Sequence, residues 1–104
     1  MSTSREAPLL DDILKEADAL VHGTRNESYG HPIDDYSRVV DIFRMISGVE
    51  LHPEEGALFM VAVKLARLRH NYEAGIIHRD SLIDAAGYLW VFAQIVESRG
   101  KTIR

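Results

Sequence analysis

The chain has 104 residues, a formal net charge of −4 and no cysteine, with 46% hydrophobic and 27% charged residues. That is the size and balance of one small globular domain, and it excludes disulfides and thiolate metal sites. The twelve basic residues are scattered among sixteen acidic ones, without the concentrated basic face that a general nucleic-acid binder needs.

Residues 1–8 are polar and are expected to form a flexible tail. MSTSREAPLL lacks the apolar stretch of a signal peptide, and no apolar run approaches a membrane span. We therefore expect a cytoplasmic protein with neither a nucleic-acid nor a membrane partner. A single helical domain is expected over residues 9–100, followed by a short tail at 101–104.

Apolar residues recur at Leu10, Ile13, Leu14, Ala17, Leu20 and Val21, the spacing of an amphipathic helix, and Gly23 is a stop signal. TRNESYGH, residues 24–31, reads as a loop. Pro32 opens a second helix with an apolar face of Ile33, Tyr36, Val39, Val40, Phe43 and Ile46, ended by Gly48,. Pro53, followed by Glu54 and Glu55 in the first turn, opens a third helix expected to reach about Asn71. Asp80 is the expected N-cap of a fourth, which ends near Gly100. No alternating strand pattern appears, so the fold class is all-α.

The third and fourth helices differ from the first two. GALFMVAVKLA (56–66) and LIDAAGYLWVFAQIV (82–96) are apolar on nearly every side. A helix of that kind must be surrounded by protein, so we expect a homo-oligomer, a dimer or larger, that buries these two helices. Lys64 breaks the first run, with Arg67 three residues on; Asp84 breaks the second, one turn after Asp80. A buried charge is costly unless paired, so Lys64 and Arg67 are expected opposite Asp80 and Asp84. Such a cluster either fixes helix register, with Asp80 capping its helix, or lines a cavity for an anionic ligand. In the second case Arg67 is the phosphate contact, and Tyr88 follows one turn past Asp84.

The loop adds Arg25, Tyr29 and His31, which suit a nucleotide as phosphate clamp, stacking ring and titratable donor. The plainer alternative is a surface loop whose tyrosine packs onto the core. Glu54 and Glu55, taken with Asp80 and Asp84, would offer carboxylates to Mg²⁺. His22, His52, His70 and His78 are read as solvated or structural. No P-loop, Rossmann, HExxH or GxSxG pattern is present,.

The combination R-x-x-x-YGHP, K-x-x-R and D-x-x-x-D-x-x-GY, spread over residues 10–95, resembles a family of small proteins from bacteriophages of actinobacteria. That family is in turn distantly similar to the all-α MazG-like nucleoside triphosphate pyrophosphohydrolases. The resemblance implies a four-helix MazG-like bundle completed by oligomerisation, in the host-cell cytoplasm if the chain is phage-encoded. It implies a nucleotide ligand, Mg²⁺ as cofactor and Asp80 and Asp84 as metal ligands. Where those enzymes carry E-E-x-x-E, this chain reads K-L-A-R, which favours direct attraction of phosphate there. Three readings follow: a Mg²⁺-dependent pyrophosphohydrolase, a non-hydrolytic protein that sequesters a nucleotide such as a host-defence signal, or a helical interaction module.

Overall fold

The computed structural model describes residues 9–23 and 30–104. Within them the chain forms four helices and no strand: α1 (Leu9–His22), α2 (Pro32–Ser47), α3 (Pro53–Glu73) and α4 (Arg79–Ser98). No helix among the described residues is long and apolar enough to cross a membrane. Residues 1–8 and most of the 24–31 loop lie outside the described residues.

Each boundary has a local cause. α2 starts where His31 takes an extended conformation and its Nδ1 accepts the backbone N–H of Ile33 at 3.2 Å. It stops at Gly48, whose φ of 76° is open to glycine at little cost,. At the head of α3 the backbone N–H of His52 donates to Glu55 Oε1 at 2.7 Å, a reciprocal cap of the helix start. α3 runs two residues past the expected Asn71. The N-cap of α4 is His78, not Asp80; its Nδ1 lies 2.6 Å from the Ser81 hydroxyl. Asp80 instead sits in the first turn, where its carboxylate faces the positive end of the helix dipole,.

α4 is the central helix and packs against each of the other three. Ile13, Ala17 and Ile83 form one core cluster between α1 and α4, and Val21, Tyr36, Ala57, Val91 and Ile95 form a second. Gly56 lets α2 cross close to α3: a Cβ there would meet Val40 Cγ1 at 3.0 Å and Tyr36 Cδ1 at 3.1 Å. Thus the chain itself covers much of α4, although Leu89 on it remains 50% exposed. Large apolar side chains stay exposed on α2 and the outer side of α3, among them Ile42, Ile46, Leu58 and Phe59.

A second ion-pair cluster ties the chain's last turn to the head of α3. Glu54, 5% exposed, accepts from Arg99 Nη1 at 2.5 Å and lies 3.0 Å from Lys101 Nζ. Burial pushes its carboxyl up, but its own backbone N–H and the hydrogen bonds from Lys101 and Arg99 outweigh that and hold it down at about 2, from an ordinary 4.5. A depressed carboxyl contributes stability fully above its unfolded value and loses it as pH falls toward the folded one. Glu54→Gln should therefore cost about 1–3 kcal/mol at neutral pH, as for hydrogen bonds to a charged group. Urea midpoints of wild type and variant should converge as pH drops from 4.5 toward 2; a gap that stays constant would refute the assignment.

Candidate functional site

Because α3 and α4 run antiparallel, the middle of α3 meets the first half of α4. There Lys64 Nζ lies 3.1 Å from Asp84 Oδ2, with the two side chains 15% and 34% exposed. The facing expected from sequence is thus present for this pair. It does not extend to Arg67, which is exposed and has no ion pair among the described residues; its carbonyl accepts from Asn71 Nδ2 at 2.9 Å. Arg67 lies one turn further along α3 and about 60° round it from Lys64, and at that position its side chain stays in solvent.

Asp80 and Asp84 open instead toward α1. With Glu16, Ala19, Leu20 and Ile83 they line a groove of about 340 Å³. Glu16 is hydrogen-bonded by Arg79, and that contact holds its carboxyl below the usual range. The groove is acidic, with one cation, Lys64, committed to Asp84 and another, Arg79, to Glu16. Glu54 and Glu55 are not part of it. Glu54 lies ten residues before Lys64, about 15 Å along the helix, and is bound to the opposite end of α4 through Arg99. The Mg²⁺ site imagined from all four carboxylates is therefore split between two ends of the bundle. Among the described residues no three carboxylates or histidines converge as a ready-made metal cage.

The remaining expected ligand residues fall in different places. Tyr88, one turn past Asp84, is half-buried and packs on the Val21, Tyr36, Ala57, Val91 and Ile95 cluster. His31 is used as the cap of α2, which needs its Nδ1 lone pair and so leaves only Nε2 for a ligand,. Arg25 and Tyr29 lie outside the described residues. Of the other histidines, His22 contacts the Asp18 carboxylate at 2.9 Å and stacks edge-on against Trp90, ring centres 4.7 Å apart. Glu16 and Arg79 were missed from sequence because each looks like the ordinary polar side of an amphipathic helix.

Residues 12–96 match the profile of a family described as a domain of unknown function, DUF6378. Over 87 residues the chain is 34% identical to the Gene 55 protein of Mycobacterium phage D29, a stretch that covers 84% of this chain and 55% of that protein. It is 31% identical over 84 residues to the Gene 55 protein of Mycobacterium phage L5, covering 80% and 51%. The chain spans about half the length of the curated relatives it matches. No solved structure matches it. None of these matches is to a MazG-like enzyme, so the fold stands as an all-helical, four-helix arrangement without that assignment.

Proposed function

This chain belongs to the DUF6378 family, with mycobacteriophage Gene 55 proteins among its relatives, and on that footing we propose that it binds a nucleotide together with Mg²⁺ in the groove between α1 and α4. The observation that carries the proposal is a groove of about 340 Å³ lined by Glu16, Asp80 and Asp84, with the largely buried ammonium of Lys64 paired to one of those carboxylates, Asp84. That volume suits a small ligand. The balance of charge decides how phosphate would enter. With Lys64 occupied by Asp84 and Arg79 by Glu16, a bare polyphosphate meets net negative charge, whereas a divalent cation is attracted.

The residues present fit Mg²⁺ in its usual mode. That ion commonly takes only one or two protein carboxylates and fills its octahedron with water and substrate phosphates, so Asp80 and Asp84 suffice without a preformed cage. When bound it would neutralise phosphate charge and polarise a phosphoryl oxygen. Lys64 would hold Asp84 in place and lend positive charge to the phosphate side. Pyrophosphate release in the MazG-like manner is one version of this function; sequestration of the nucleotide is the other. A helical interaction module is a second reading, favoured by the bare apolar face on α2 and α3.

Thermal denaturation with nucleoside mono-, di- and triphosphates, each with Mg²⁺ and with chelator, tests the proposal. A ligand at a hundred times its dissociation constant adds about 2.7 kcal/mol to the folded state. Stabilisation should require nucleotide and Mg²⁺ together and disappear in Asp84→Asn. Equal stabilisation in chelator would overturn the metal-bridged mode, and no response to any nucleotide would leave the interaction module. Product analysis on the binding nucleotides separates hydrolysis from sequestration.

A further inference from the structure

The helical hairpin of α2 and α3 carries apolar side chains on two sides. Inward, Tyr36 and Val40 on α2 and Ala57 and Val61 on α3 join the core. Outward, α2 presents Val39, Ile42, Phe43 and Ile46, an i, i+3, i+4, i+7 stripe exposed along its length,. The adjoining side of α3 presents Phe59, Ala62 and Ala66, also exposed. The two stripes meet at a groove of about 230 Å³ lined by Val39, Phe43, Leu51, Gly56, Phe59 and Met60. An amphipathic helix needs one apolar stripe to fold onto its own chain; the second has no partner among the described residues.

We infer that this face is covered by a second copy of the chain, so that two α2–α3 hairpins pack together as a four-helix interface. The surface supports it. Val39, Ile42, Phe43, Ile46 and Phe59 are 37–79% exposed on one face, a contiguous apolar patch of the kind that marks an interaction site. A standard interface takes about 800 Å² from each partner, a little over half of it apolar, which is the kind of surface this face presents. The composition supports it too. From Gly56 to Val63 the sequence GALFMVAV has no charged residue; depletion of charge marks the core of an interface, and interfaces between identical copies are the more apolar ones. A second copy of the chain presents the same uncharged apolar face, so the two match in character. The interface does not use the α1–α4 groove, so it stands whether or not a nucleotide binds there.

Sedimentation equilibrium of the ligand-free protein at micromolar concentration should give about 23 kDa, twice the chain mass of 11.7 kDa. Ile46→Glu and Phe59→Glu, at positions 79% and 61% exposed, should each give the monomer mass with the helical circular dichroism unchanged. Ile77→Glu, exposed but off this face, should leave the dimer intact. Should a glutamate variant lose its helical signal, Ile42→Lys reads the same contact from a solvent-facing position. A wild-type chain that sediments as an 11.7 kDa monomer overturns the inference and leaves the face to another protein. A dimer that survives the folded Ile46, Phe59 and Ile42 variants overturns the placement.

Discussion

Ile95→Ala is expected to cost about 2–5 kcal/mol, the range for large-to-small changes in a closed core. Ile95 has no exposed surface, and it sits with Val91 where α4 meets Val21 of α1, Tyr36 of α2 and Ala57 of α3. Truncation there removes three carbons' worth of contact and leaves a cavity that several helices border at once, so relaxation of any one of them cannot fill it. In a domain of this size each kcal/mol moves the melting temperature by about 4–8 °C, and total stability is about 5–15 kcal/mol. The variant should therefore melt at least about 8 °C lower by calorimetry. Leu89→Ala, on the same helix but 50% exposed, is the control and should lose under about 1 kcal/mol, as surface changes do. Equal losses for the two would mean that α4 is not the central helix.

The helices were legible because their causes are local. Ile13, Ala17 and Val21 recur at helical spacing, and each proves buried. Pro32 and Pro53 mark starts, and Gly48 a stop, through backbone restrictions that no distant residue alters. What periodicity does not reveal is which of two apolar helices lies inside. GALFMVAVKLA and the run from Leu82 to Val96 have similar composition, yet α4 is enclosed by three neighbours while α3 turns one side outward. That outcome depends on the order in which helices pack, a property of the whole chain.

The same divide separates the site residues that were read correctly from those that were not. Lys64 and Asp84 stood out because each breaks an apolar run, and desolvation gives each a reason to find the other. Glu54 gave no such signal. In the first turn of a helix it is explained by the helix dipole alone, and its partner Arg99 lies 45 residues away. Glu16 was likewise hidden on the polar side of α1, although with Asp80 and Asp84 it sets the acidic character of the groove. Asp80 misled for a related reason: it is a good cap by type, but the chain turns two residues earlier than the best capping residue, and His78 takes the position.

The Lys64–Asp84 pair offers the test that joins stability to function. Asp84→Asn leaves an ammonium that is 15% exposed without its counter-ion; Lys64→Met leaves a carboxylate 34% exposed and beside Asp80 and Glu16. Breaking a fully buried pair costs about 3–5 kcal/mol and an exposed one about 0–1, so each single change here should cost about 1–3 kcal/mol. The double variant should lose less than the sum, with a coupling of about 0.5–3 kcal/mol by chemical denaturation. Strict additivity would mean the two groups do not interact. The single variants should also differ in salt. Repulsion among Asp84, Asp80 and Glu16 is partly open to solvent, so high ionic strength should restore part of the loss in Lys64→Met. It should do little for Asp84→Asn, whose defect is an enclosed unpaired cation. Nucleotide binding then assigns the role of the pair. If Mg²⁺-dependent binding is lost whenever Asp84 is replaced, even in the double variant whose stability has partly recovered, the carboxylate serves the ligand. Should the double variant bind as wild type does, the pair acts only to set the register of α3 against α4, and the groove must hold its ligand through Asp80 and Glu16.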